Sequence, residues 1–377
     1  MSFLRYLILS CNTGAGHNSA AEAVKDYFEE QGFECDICDS IAFISKSSSS
    51  LVSGGHVLLY KKSPKLFGVL YRFFENHPVK ENERSVLYEI LTLGAKGLNE
   101  YLKCRNYNGI ICTHVFAGMM ATATKRKYMS ELKIYQIATD YTCTPCTPEV
   151  DAERFFIPHR DFLYEYVQSG IPSAKIIWSG IPVRSSFYED LSKSEAKNLL
   201  HLNQEEKVIL LMCGSMGCGP IEELTDQLER ELSSGWRLVA ICGNNRKLYE
   251  ILKAKDYKKV SVVGFTKKMH VYMSAAEFAL TKPGGLSSTE AFVKGLPLIL
   301  IDAVPGCETR NLEYFIEKGF AGTANTTEGL TKLVLELANS SDSLSFTRKI
   351  LKEEFGCAPK TIYDTIIRGN ANETIRL

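Results

Sequence analysis

The chain has 377 residues, enough for two domains, since single hydrophobic cores stop growing at about 250–300 residues. Hydrophobic residues make up 45% and charged residues 23%, the ordinary balance of a globular α/β protein. Lys+Arg 44 matches Asp+Glu 44, and this neutrality excludes a bulk nucleic-acid binder, for which a basic excess is expected.

Residues 4–11 form a mostly apolar run that leads straight into a glycine-containing loop at 12–17. It therefore reads as a strand rather than a signal peptide. Ser19-Ala-Ala-Glu22 fits a capping box, which predicts a helix over 20–31, with Gly32 at its C′ position. Residues 33–39 are the next strand, completing one βαβ unit. Buried strands follow at 109–113 and 133–139. After about residue 200 the pattern restarts. A strand at 207–213 ends in a second glycine loop, and further strands fall at 236–242, 260–263, 278–281 and 297–301. These runs are continuously apolar rather than alternating, the mark of parallel strands covered on both faces. The expectation is an α/β chain of two doubly wound domains. The first covers residues 1–190 and the second 191–355. Residues 356–377 are a tail that packs back on the first. No run reaches about 18 apolar residues, so no transmembrane helix is expected. The 12 cysteines are scattered through apolar stretches as small hydrophobes, which fits a reducing cytosol.

The sharpest motif is TKPGGLSSTE at 281–290. A strand ends at Thr281, Gly284 and Gly285 let the backbone approach a ligand, and Ser287 or Ser288 can cap the next helix. Such a helix start offers free N–H groups and a positive dipole end to a pyrophosphate. Glu290 lies about one turn in, where a carboxylate can accept hydrogen bonds from ribose hydroxyls. The loop GSMGCG at 214–219, with Gly214, Ser215 and Gly217, sits at the carboxyl end of its strand, the edge where open α/β sheets bind ligands.

His17 follows Gly14-Ala-Gly16 at the mouth of the first strand. An imidazole titrates near neutral pH, which suits a general base. Asp140, closing the strand at 133–139, either orients His17 or serves as a second base; a plain turn aspartate is the bland reading. Cys35-x-x-Cys38 and Cys143-x-x-Cys146 have zinc-like spacing, but the first pair falls in a strand, where odd offsets face opposite ways. Buried strand and loop cysteines are the better reading.

Between residues 40 and 74 there is no Asp or Glu. Lys61, Lys62, Lys65 and Arg72 are interleaved there with Phe67, Tyr71, Phe73 and Phe74. An acid-free basic and aromatic stretch suits an anionic bilayer surface; the bland alternative is a pair of amphipathic helices on the first domain.

GFTKKMH at 264–270, the 281–290 motif and PGCETRN at 305–311 together resemble the donor half of glycosyltransferase family 28. CNTGAGH at 11–17 resembles the acceptor-side loop of the same enzymes, in particular the diacylglycerol glucosyltransferases and monogalactosyldiacylglycerol synthases. The resemblance implies a GT-B fold, two Rossmann-like domains facing across a cleft. It implies a hexosyltransferase that is inverting and uses a UDP-sugar donor and a diacylglycerol acceptor. Phe265, Thr266 and Met269 would then flank the uracil. Lys282, Pro283, Gly284, Gly285, Ser287 and Ser288, with Gly214, Ser215 and Gly217, would hold the pyrophosphate. Glu290 would take the ribose, and Glu308, Thr309 and Asn311 the sugar. His17 would be the base beside the Gly14 and Gly16 loop. Relatives often carry Gln at Cys307, and His and Trp after Asp140, where this chain has Tyr-Thr-Cys-Thr; those departures bear on sugar and acceptor. The chain has no Asp-x-Asp triplet, so no metal and no cofactor is expected. The expected location is cytoplasmic, peripheral on the inner face of the cell membrane, with no nucleic-acid partner. Alternatives are a UDP-GlcNAc transferase acting on a polyprenyl-linked lipid, a GT-B-type UDP-sugar epimerase, and a non-catalytic UDP-sugar-binding protein.

Overall fold

The structure, a computed structural model, describes residues 4–12, 14–44, 85–212, 220–301, 303, 305–340, 347–351 and 354–369. Residues 45–74 of the acid-free stretch, with Lys61, Lys62, Lys65, Phe67, Tyr71, Arg72, Phe73 and Phe74, lie outside the described residues. So does the glycine loop with Gly214, Ser215 and Gly217.

The chain forms two compact units. The first is built from Met1–Ser185, Val304–Cys307 and Cys357–Leu377, the second from Ser186–Ala303 and Glu308–Gly356. No helix among the described residues is long and apolar enough to cross a membrane.

Among the described residues of the first unit six strands form one sheet: β1 (Arg5–Ser10), β2 (Glu34–Asp39), β3 (Gly109–Cys112), β4 (Ile134–Ile137), β5 (Arg154–Ile157) and β6 (Ile176–Trp178). All pairings are parallel, in the order β2-β1-β3-β4-β5-β6. Leu7, Ile8 and Leu9 of β1 are fully buried, because helices cover both faces of a parallel sheet. Helix α1 (Ala15–Glu30) connects β1 to β2 and buries Ala20, Ala21, Val24 and Phe28. Helix α2 (Val115–Tyr128) leaves the end of β3.

The second unit repeats the plan with β7 (Lys207–Met212), β8 (Trp236–Ile241), β9 (Val260–Val263), β10 (Ala276–Thr281), β11 (Leu298–Leu300) and β12 (Ala321–Thr323). The order β12-β11-β10-β7-β8-β9 is again parallel throughout. Helix α3 (Gly285–Val293) follows β10, and α4 (Cys307–Glu317) lies between β11 and β12. The last helix, α5 (Ala358–Arg368), belongs to the first unit. Its Ile362 and Tyr363 are buried with Phe28, and the Tyr363 ring packs edge-on to Tyr27, Phe28 and Phe33.

Three strands escape the sequence reading: β5, β6 and β12. Helix α1 also starts five residues before the predicted Ala20. Its N-cap is Gly14, in extended conformation and without a side-chain cap, so Ser19 caps nothing. The turn before α1 is closed instead by side chains: Ser10 Oγ donates to Asn18 Oδ1 at 2.6 Å, and Asn18 Nδ2 to Asn12 Oδ1 at 2.6 Å. With the turn secured that way, the helix starts as soon as the chain leaves Gly14.

In each sheet the chain begins in the interior and strand order reverses beside the first strand: between β1 and β3 in the first unit, and between β7 and β10 in the second. At such a switch point the loops leave in opposite directions and open a crevice beyond the carboxyl ends of the strands. His17 follows β1 and Thr113 follows β3; the 281–290 motif follows β10.

Candidate active site

The second-unit site grows from the end of β10. Its strand ALT at 279–281 is fully buried, which fixes where the chain emerges. The chain then turns tightly: Gly284 N–H donates to the Lys282 carbonyl at 2.8 Å, and α3 begins at Gly285. Gly284 is the N-cap and provides no side-chain cap. The expectation that Ser287 or Ser288 caps this helix is therefore corrected: both lie within its first turn and a half. The first N–H groups of the helix have no intrahelical acceptor by geometry, and they coincide with the positive end of the dipole.

The two serines differ in placement. Ser287 is half-buried, whereas Ser288 is fully buried and its hydroxyl has no partner among the described residues. Of the two, only Ser287 lies near the surface of the turn. Glu290, deeper in α3, is 9% exposed. A carboxylate at that depth is costly without hydrogen-bonding partners.

Helix α4 braces the turn from the side. Its Glu308 forms an ion pair with Lys282 at 2.6 Å, the side chains being 11% and 17% exposed. One turn on, Asn311 is fully buried and its Nδ2 donates to the Pro283 carbonyl at 2.9 Å. Positions three apart share a helix face, so Glu308 and Asn311 together clamp consecutive residues of the loop. Lys282 is thus engaged with Glu308, and Asn311 acts from beneath the loop rather than on its surface. Thr309, between them, is half-buried. Phe265 stands 62% exposed on the turn after β9, the aspect of a ring available for stacking rather than of a core residue. Beside it, Thr266 Oγ1 accepts the Lys268 N–H at 3.0 Å, and half-buried Met269 opens the next helix.

In the first unit His17 occupies the third position of α1, not a loop, and is half-buried. Gly16 precedes it in the same first turn. His17 Nδ1 lies 3.1 Å from the Thr113 carbonyl and 2.9 Å from Thr139 Oγ1. A carbonyl oxygen only accepts, so the proton sits on Nδ1 and the lone pair on Nε2. The Thr113 carbonyl comes from the end of β3 and the Thr139 hydroxyl from just beyond β4. Asp140 follows Thr139 directly and is half-buried. Sequence reasoning missed Thr113, Thr139 and His114. The available signal was their place at the ends of predicted strands.

Burial pushes the Cys35, Cys143 and Cys146 thiols up to about 12. They stay protonated at neutral pH, which suits neither thiolate ligands nor nucleophiles.

Residues 17–183 match the monogalactosyldiacylglycerol (MGDG) synthase family, and residues 208–347 match the glycosyltransferase family 28 C-terminal domain. Each half of the chain thus resembles one part of the lipid-glycosylating enzymes of glycosyltransferase family 28. The sequence relatives agree with these matches: the processive diacylglycerol β-glucosyltransferase of Staphylococcus saprophyticus is 27% identical over 354 residues, covering 90% of this chain and 86% of that protein. Among solved structures, Acinetobacter baumannii MurG superposes with a TM-score of 0.65 at 15% identity, covering 97% of this chain and all of MurG. A UDP-N-acetylglucosamine 2-epimerase, so described, from Listeria monocytogenes gives a TM-score of 0.64 at 13% identity over the whole of both chains. The fold is GT-B, and the protein is a glycosyltransferase.

Proposed function

We propose that the protein is an inverting, metal-independent hexosyltransferase that moves a sugar from UDP to diacylglycerol while docked on an anionic membrane surface. The observation that carries the reading is the held state of His17: an imidazole at a switch point, with its proton fixed on Nδ1 and its lone pair on Nε2. That is the state a general base needs. The relatives, diacylglycerol β-glucosyltransferases aligned over about nine-tenths of this chain, support diacylglycerol as the acceptor class.

The chemistry follows from the two sites. His17 Nε2 takes the proton of the acceptor hydroxyl as its oxygen attacks the anomeric carbon. The bond from that carbon to the UDP oxygen breaks, and direct displacement inverts the configuration. Negative charge grows on the departing UDP. The N–H groups of Gly285, Leu286 and Ser287, the α3 dipole and Lys282 answer it, a task that would otherwise call for a metal ion. Glu290 accepts from the ribose, Phe265 offers a face to the uracil, and Glu308 and Thr309 lie nearest the sugar. The basic aromatic stretch at 61–74 supports docking on anionic lipid.

The test uses UDP-Glc, UDP-Gal and UDP-GlcNAc separately, with diacylglycerol in anionic vesicles and excess EDTA. A hexosyl-diacylglycerol, identified by mass spectrometry and formed at an unchanged rate in EDTA, is the expected result. Turnover of UDP-GlcNAc without any lipid acceptor would make the protein an epimerase instead. Transfer only to a polyprenyl-linked lipid would equally overturn the reading.

Donor binding has its own test. Loss of a charged hydrogen bond costs about 1.5–3 kcal/mol, so Glu290→Ala should weaken UDP affinity by that amount in calorimetry. An unchanged affinity in the folded variant removes Glu290 from the ribose.

A further inference from the structure

We propose that His114, at the end of β3, is a positioning residue that sets the ring plane of His17. The proposal rests on the reading of His17 as the general base.

His114 is the N-cap of α2, and its Nδ1 accepts the Phe116 N–H at 3.0 Å. A ring nitrogen that accepts a backbone N–H carries no proton, so neutral His114 has its proton on Nε2. The cap also fixes the ring: rotating it would forfeit the Phe116 bond. Protonating Nδ1 would turn that contact into two opposed N–H groups. It would also place a cation at the positive end of a 14-residue helix, α2. The arrangement therefore keeps His114 both still and uncharged.

This fixed ring meets His17. The two centroids are 4.5 Å apart, with the planes at 76°, an edge-to-face contact. His114 also packs against Phe116 in the same manner, at 4.5 Å and 66°. Besides the Thr139 hydroxyl, two neighbouring groups of one dipeptide thus hold His17. The Thr113 carbonyl decides which nitrogen bears the proton, and the His114 ring restricts rotation about the axis through that hydrogen bond. A hydrogen bond at Nδ1 alone would leave the ring free to swing, and Nε2 with it. Proton transfer depends on where Nε2 points, and a misplacement of about 1 Å can cost on the order of a hundredfold in rate.

Capping and ring packing can be separated, because Asn caps a helix as well as any residue but has no ring. In the full-length protein, His114→Asn should keep its melting temperature and UDP affinity while kcat for lipid transfer falls about ten- to a hundredfold. His114→Ser, which also caps, serves as a second variant should the Asn protein fold poorly, with the same expectation. Wild-type kcat in either folded variant overturns the proposal, since it reduces His114 to a cap. A double variant with His17→Ala should turn over no more slowly than His17→Ala alone, because the two losses are one loss when His114 acts through His17. Multiplied losses overturn the proposal. If His17→Ala alone keeps its turnover, the base reading itself fails. That outcome is distinct from the failure of His114, which shows as a competent base indifferent to the ring beside it.

Discussion

Replacing His17 by alanine is expected to lower turnover by about 100- to 10,000-fold, the usual contribution of a positioned general base. The size of the loss follows from how much of the structure is committed to this one side chain. Its Nδ1 is held by groups from two other strand ends, the Thr113 carbonyl and the Thr139 hydroxyl, so Nε2 is presented in a fixed tautomer. Donor affinity should stay near wild type, because the 281–290 turn and Glu290 belong to the other compact unit. Steady-state kinetics with calorimetric UDP binding tests both halves of the statement. Near-full turnover would shift the role to Asp140, and a parallel loss of UDP affinity would mean that the variant damages more than a base.

The second large effect concerns stability. Phe292, on the inner face of α3, is fully buried and packs against three other rings. Centroid separations are 4.9 Å to Phe315 on α4, 5.7 Å to Phe320 and 5.1 Å to Phe355. Phe292→Ala removes the hub of this cluster and leaves a cavity lined by rigid rings that cannot collapse into it. The expected cost is about 3–5 kcal/mol, the range for buried Phe→Ala. Because α3 carries the 281–290 turn at its start, urea unfolding monitored through UDP binding should show the loss directly. A decrease below about 1 kcal/mol would mean that the cluster repacks freely.

The parallel sheets were legible because their central strands are buried on both faces. VILLM in β7 and IIC in β3 have no polar residue to interrupt the apolar run. Of the missed strands only β12 lacks that signature; β5 and β6 carry the apolar runs FFI and IIW, which the reading passed over. β12 is AGT, a strand only through its pairing with Leu298, Ile299 and Leu300, and β6 is three residues long. The glycine turn after β10 was visible in the sequence, since Gly-Gly after an apolar run marks a tight strand-to-helix turn. The Lys282–Glu308 pair was not: 26 positions separate the partners, and only the course of α4 brings them together. The start of α1 was misplaced for a related reason. Ser19 has the right spacing for a cap, but Ser10, Asn12 and Asn18 close the turn first, and their arrangement depends on where β1 ends.

The return of α5 to the first unit bears on how the protein is made. Ile362 and Tyr363 complete a core whose other buried members, from Tyr6 through Phe28 to Ile177, all lie in the first half of the chain. At about 5–20 residues per second, roughly ten to forty seconds of translation separate Ser185 from the end of α5. Throughout that interval the nascent first half carries an uncovered apolar face, while the second unit emerges and can close on its own. The half that begins synthesis is thus the one that finishes folding last. Expressed alone, residues 1–185 should be an aggregation-prone fragment and a chaperone client, whereas the same fragment supplied with a peptide spanning α5 has its missing wall.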